Sequence, residues 1–150
     1  MGREGKTMGE EEVVVEYRRD GDDKHILSLN SKAVPEIRID YTGIPKDARA
    51  GTAQRLLAAS ALYCFASTLG AALAARNATI RSLTGRAVSE KDKDEYYRTK
   101  VSNIQIEVEV DVNDGDLPTL EKCEKIMENG CLITYSLNQG IEVEHTIKRA

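Results

Sequence analysis

The sequence predicts an α+β fold, mostly antiparallel sheet laid against helices, and three stretches carry that prediction. Residues 56–75, LLAASALYCFASTLGAALAA, run without a charge between Arg55 and Arg76. Residues 103–112 alternate strictly, with Ile104, Ile106, Val108, Val110 and Val112 on one face and Asn103, Gln105, Glu107, Glu109 and Asp111 on the other. Residues 118–128 then read as a second helix, because Leu117, Leu120, Cys123 and Met127 recur at spacings of three and four.

Taken in order, residues 1–12 are polar and charged and predict a flexible tail, and residues 13–150 a single domain. Val13, Val14, Val15 and Tyr17 suggest a first strand and residues 25–29 a second. Between them, Arg18-Arg19-Asp20-Gly21-Asp22-Asp23 carries the Asp-Gly signal of a hairpin, in a loop longer than two residues. Residues 34–41 give a third strand, with Ile37 and Ile39 alternating with Arg38 and Asp40. A loop with Gly43, Pro45 and Gly51 leads into the uncharged stretch.

That stretch holds eight alanines and five leucines in twenty residues, strong helix formers all, and predicts a helix about 30 Å long. Thr52 is the expected N-cap and Asn77 the expected stop. The length would span a bilayer. However, its small residues make it only weakly hydrophobic, its flanks carry one arginine each, and no aromatic belt borders it, so a buried core helix is the better reading. A helix apolar around its whole circumference must be buried on all sides, and a chain of 150 residues has few elements to wrap it. A partner subunit is therefore expected to supply part of the wall, most simply in a two-fold homodimer.

After the helix, residues 79–88 predict a strand with a bulge near Gly85, and SEKDKDEYYRTK a solvated turn before the alternating strand. Asn113-Asp114-Gly115-Asp116 turns the chain into the second helix, which Gly130 ends. Residues 131–138 are ambiguous. Ile141, Val143, His145 and Ile147 alternate with Glu142, Glu144, Thr146 and Lys148 and predict a last strand.

The composition, 41% hydrophobic and 31% charged, is that of a globular chain. Twenty-one basic residues against twenty-five acidic ones, with no basic stripe interleaved with aromatics, argue against a nucleic-acid surface. MGREGKTMGEEE lacks the apolar run of a secretory signal, so a cytoplasmic protein is expected. His25 and His145 lie far apart, and neither HExxH, CxxC, GxSxG nor a phosphate-cradling glycine loop occurs, so no metal or cofactor is expected. The three cysteines in a reducing compartment are free buried thiols or include a redox pair. Cys123, on the stripe of the amphipathic helix, reads as core. Apolar surroundings should raise the pKa of Cys64 unless a cation sits nearby. Cys131, directly after Gly130, is the cysteine best placed to receive backbone N–H groups.

The pieces together resemble one family. An apolar helix reading LLAASALYCFASTL, an alternating strand some forty residues on, an amphipathic helix, and a cysteine in NGCLITYSLNQGIEVE, with Cys131, Leu137 and Gly140 in the pattern Cys-x-x-x-x-x-Leu-x-x-Gly, are similar to the OsmC/Ohr family of thiol peroxidases. The resemblance implies an OsmC-like fold, an intertwined homodimer around long central helices. It implies that Cys64 attacks a hydroperoxide and becomes a sulfenic acid, that Cys131 resolves it as a disulfide, and that an external dithiol restores the pair. An apolar pocket around Cys64 would favour organic or fatty hydroperoxides. In the family an arginine from the first hairpin steadies the thiolate; Arg19 matches it, with Arg18 and Arg38 as alternatives. The glutamate that holds that arginine is replaced here by Gln54, ten residues before Cys64, and Ala53 and Leu132 stand where proline is usual. Gln54 can accept a hydrogen bond from a guanidinium but forms no ion pair. The alternative implied by these departures is an OsmC-like dimer without efficient peroxidase activity, binding an apolar small molecule at its interface.

Overall fold

In the computed structural model, which describes residues 12–150, two compact units divide at Ala50 and Gly51. The flexible tail expected over residues 1–12 lies outside the described residues, Glu12 excepted.

The N-terminal unit is a three-stranded antiparallel sheet in the order β1 (Glu16–Asp20), β2 (Lys24–Ser28), β3 (Glu36–Asp40). β1 begins and ends three residues later than the valine run suggests. Pairing runs from Glu16 opposite Ser28 to Asp20 opposite Lys24, up to a tight turn at Gly21–Asp23, so Arg18 and Arg19 are strand residues rather than loop residues. Val13, Val14 and Val15 precede the strand and stay exposed. Ile26 is the buried residue of this sheet. His25 stacks on Tyr17, accepts or donates a 2.8 Å hydrogen bond with its hydroxyl through Nδ1, and meets the edge of Tyr41. A single 3₁₀ turn, Lys46–Ala48, closes the unit.

The second unit is built on α1, Thr52–Ala75. The helix starts four residues before the uncharged run, and its N-cap is Gly51 at φ +92°, not Thr52. A side chain at Gly51 would also displace the flexible end of Arg55, its Cβ falling 2.5 Å from the guanidinium Nη1. At the far end the stop is the expected one. Asn77 takes the left-handed conformation at φ +60°, its N–H bonds Ala74 O at 3.0 Å, and Ala78 N–H bonds Leu73 O at 3.0 Å. Those paired bonds are a Schellman motif, with asparagine in the place usually held by glycine.

β4 (Ile80–Lys93) and β5 (Thr99–Val112) form one long antiparallel hairpin. The solvated turn expected over residues 89–100 shrinks to residues 94–98, and the charged residues flanking it pair as strand, Asp92 opposite Lys100 and Lys93 opposite Thr99. Charge does not break a ribbon exposed on both faces. The irregularities fall between Ile80 and Ser82 and between Glu90 and Lys91, not at Gly85. Gly85 serves close approach instead: a Cβ there would stand 3.0 Å from Leu62 of α1 and 3.0 Å from Val108.

α2 (Leu117–Met127) and α3 (Leu132–Gln139) complete the unit, with a short 3₁₀ turn, Asp114–Asp116, before α2. The ambiguous segment is thus a helix. The last predicted strand is not formed: residues 141–150 take no regular secondary structure, pair with no strand among the described residues, and leave Ile147 98% exposed. The alternation of apolar residues supplies one face of a strand but not the edge it needs to pair with.

Leu69 and Leu73 of α1, Val112 of β5, and Cys123 and Met127 of α2 form the core, with Leu73 and Cys123 fully buried. By length and composition α1 is apolar enough to cross a membrane. Here it packs on β4, β5, α2 and α3 through one side only, the side of Ala58, Ala61, Leu69 and Leu73. Ser60, Tyr63, Ser67, Ala71 and Ala74, on the opposite side by helical periodicity, are exposed.

Candidate active site

The middle of α1 and the start of α3 bring Cys64 and Cys131 into one site. Cys131 is the N-cap of α3, its backbone extended at φ −112°, ψ −178°, as that position requires. Its sulfur accepts the backbone N–H of Thr134, while Thr134 Oγ1 accepts the Cys131 N–H at 2.9 Å: a capping box with cysteine in the place of serine. Because Thr134 Oγ1 is already an acceptor, its own proton is free to point at Cys131 Sγ, 3.4 Å away. Gly130, at φ +79°, makes room for this: a Cβ there would sit 2.5 Å from Thr134 Oγ1. One residue into the helix, Ile133 N–H points at Cys64 Sγ across 3.5 Å. Sequence reasoning passed over Thr134 and Ile133. The readable signal was Cys-x-x-Thr directly after a glycine stop, a variant of the capping-box pattern.

All three thiols are free. Cys64 is half-buried and Cys131 is 5% exposed. The two sulfurs interact, and in opposite senses. Burial raises the pKa of Cys64, and the hydrogen bond it makes to Cys131 raises it further, against a lowering by Ile133 N–H. Burial also pushes Cys131 upward, but hydrogen bonds from Cys64, from Thr134 and from the Ile133 backbone outweigh it, and the net direction is down. Thr68 contributes least to Cys64, since its hydroxyl donates to the Cys64 carbonyl oxygen, Oγ1 to O 2.6 Å.

The other expected site residues stand apart from this pair or in the other unit. Gln54 lies ten residues up the same helix, about 15 Å away along its axis. Its amide donates to Ser89 Oγ on β4 at 2.8 Å. Arg19, on β1 of the N-terminal unit, is exposed and reaches Asp22 at 3.3 Å. Arg38, on β3, bonds Glu36 at 2.7 Å. A cavity of ≈ 340 Å³ opens between α1, β5 and α3, lined by Leu57, Ala61, Ile104, Ile106 and Leu137, with Thr134 at its wall. Among the described residues no group of three or more His, Cys, Asp and Glu side chains could hold a metal ion.

An α+β chain whose long helix and short capping helix present two facing thiols defines a class of dithiol protein. The family model described as OsmC-like protein matches residues 45–146, a span that holds both thiols, and the chain belongs to that family. Among solved structures, an OsmC-like protein of unknown function from Vibrio cholerae superposes with a TM-score of 0.62 at 16% identity, over 83% of this chain and 91% of that one. An OsmC-like protein from Mycoplasma pneumoniae superposes with a TM-score of 0.66 at 13% identity, over 86% and 89%. At such identities the likeness is one of fold. No curated protein matches the sequence significantly.

Proposed function

We propose that the protein is a cytoplasmic, homodimeric, thiol-dependent peroxidase that reduces organic hydroperoxides. The observation that carries this reading is the pairing of two free thiols across α1 and α3, with the Ile133 N–H aimed at Cys64 Sγ. Cys64 sulfur attacks the distal oxygen of the hydroperoxide, the O–O bond breaks, and the alcohol leaves. Cys131 sulfur then attacks the Cys64 sulfenic acid, forming the disulfide and releasing hydroxide, and an external dithiol returns both thiols. No metal, haem or flavin takes part. The apolar lining of the neighbouring cavity favours a substrate with a hydrocarbon tail. Arg19 is the cation assigned to the charged sulfur, and Gln54 the residue assigned to hold it.

The test is a count of free thiols by alkylation and intact mass, before and after one equivalent of cumene hydroperoxide. The expected result is loss of two thiols, mapped to Cys64 and Cys131 and restored by a dithiol, with Cys64→Ser abolishing the effect. Survival of all three thiols in excess hydroperoxide would sink the reading. A second reading then leads, in which the dimer binds an apolar small molecule. Gln54 favours it, since its Nε2 donates to Ser89 and the uncharged amide oxygen left to accept from an arginine holds it less firmly than a carboxylate would.

A further inference from the structure

The cavity beside the thiols has two unlike ends, and the packing of α1 fixes which is which. Gln54 bonds Ser89 near the start of the helix, and Leu62, eight residues on, lies over Gly85. β4 therefore runs antiparallel to α1. Through its pairing, β5 places Val108, opposite Gly85, near the middle of the helix and Ile104, opposite Ser89, near its start. The level of Ile104 is thus about 15 Å along the helix axis from Cys64. α3 leads the same way. Thr134, whose Oγ1 is 3.4 Å from Cys131 Sγ, lines the inner end with Ala61, one turn before Cys64. Asn138, one turn beyond Thr134, lines the outer end with Ser102 and Asn103. A bulge opposite Glu90 and Lys91 leaves Ser102 as an extra residue of β5, and its hydroxyl donates to Glu90 O at 3.3 Å. The carboxamides of Asn103 and Asn138 bond no group among the described residues. None of the ten residues lining the cavity carries a charge.

We propose that the outer end recognises a neutral carbonyl, so that the substrate is a hydroperoxide of an esterified acyl chain, with its O–O group at the thiols and its ester at Asn103 and Asn138. This rests on the peroxidase reading above and names the substrate class of that site. Any hydrocarbon chain gains by leaving water along the apolar walls, so the walls do not choose between tails. The choice falls to the polar end. A carboxamide N–H donates to an ester carbonyl, whereas a bare methyl end takes water from two amides and returns no hydrogen bond. A free carboxylate meets a different penalty. It would leave water for a place where no lining residue is a cation, with Glu90 opposite Asn103 on the neighbouring strand. Asn103 and Asn138 are themselves exposed, so this end is open, and the alcohol half of the ester continues into solvent.

The experiment is dithiol-driven reduction, by the whole chain at neutral pH, of three matched hydroperoxides: decyl hydroperoxide, methyl ω-hydroperoxydecanoate and ω-hydroperoxydecanoic acid. Their shared chain, about 11 Å when extended, suits the slot. The ester is expected to have the highest kcat/KM, about threefold to tenfold above decyl hydroperoxide and about tenfold above the acid, the effect of one or two hydrogen bonds. Replacing both amides, Asn103→Leu together with Asn138→Leu, should erase the ester's advantage over decyl hydroperoxide. Asn138→Lys should supply the missing cation and raise the acid above the ester. Both residues are exposed, so these changes leave the core intact, and comparing substrates within one variant cancels any general loss of activity. A wild type that reduces the acid as fast as the ester, or an ester-to-decyl ratio unmoved in the double variant, overturns the proposal. Failure to reduce any of the three overturns the peroxidase reading itself.

Discussion

Gly130 carries more of this site than its size suggests. It holds the left-handed conformation that ends the turn after α2, and its missing side chain is the space Thr134 Oγ1 occupies, 2.5 Å from where a Cβ would stand. Alanine there pays twice, in backbone strain of about 1–2 kcal/mol and in displacement of the hydroxyl. Gly130→Ala is expected to lower the melting temperature by roughly 3–8 °C. It should also slow alkylation of Cys131 near neutral pH, because the sulfur loses its hydroxyl donor. A variant as stable as wild type, with Cys131 equally reactive, would show that the Thr134 seat is unimportant. At this scale the cysteines were readable from the sequence, but their relation was not. The expectation that Cys131 receives backbone N–H groups followed from its place after a glycine stop. That Cys64 would share one of those donors depends on α3 crossing α1, which no local pattern encodes.

Among the elements, the β4–β5 hairpin shows how a few side chains override a misleading composition. SEKDKDEYYRTK looks like solvated loop, yet most of it is strand, because Asp94 organises the reversal. Its carboxylate accepts the backbone N–H of Tyr96 at 2.8 Å and of Arg98 at 2.9 Å, and Arg98 Nε at 3.2 Å, while Tyr97 takes a positive φ of +61°. The Arg98 backbone bond does most to hold the Asp94 pKa below its ordinary value; burial opposes it, and the Tyr96 N–H, the Arg98 side chain and the nearby Lys100 add to the lowering. A carboxylate lowered on folding stabilises fully above its unfolded pKa, near 4, and that contribution disappears as pH falls through the folded value. The Tyr96 and Arg98 amides should therefore lose exchange protection below about pH 4, before the rest of the ribbon does, and Asp94→Asn should weaken them at neutral pH. Protection unchanged down to pH 2.5, after correction for intrinsic rates, would remove Asp94 from that role. The strict alternation of β5 and the stripe of α2 were legible because each has a buried face on this chain. The same alternation at Ile141, Val143 and Ile147 misled, because periodicity states which side of a strand is apolar and says nothing of what it will pair with.

For the molecule as a whole, the unresolved demand comes from α1. Its last twenty residues carry no charge, yet the second unit covers only one side of it, and Tyr63 on the other side is 64% exposed. Ser60, Ser67, Ala71 and Ala74 continue that face as a row of small side chains, which lets another helix backbone approach closely. In the dimer proposed above, a second copy of α1 would satisfy the demand, with two-fold symmetry placing like against like. Cys64 is half-buried, on the margin between the covered side and the open one, so a partner helix would close the remaining wall of the thiol site. A charge inserted at the centre of this face has nowhere to go. Tyr63→Glu would bury an unpaired carboxylate, costing roughly 3 kcal/mol or more, over a hundredfold in the dimer dissociation constant. Light scattering coupled to size exclusion should therefore report two chains for the wild type and one for Tyr63→Glu. The chemistry should follow the assembly: the monomeric variant should lose its preference for hydroperoxides with hydrocarbon tails over hydrogen peroxide, as Cys64 faces water on its open side. A wild-type protein that runs as a single 16.6 kDa chain at micromolar concentration would mean that the open face of α1 is covered by something other than a second copy.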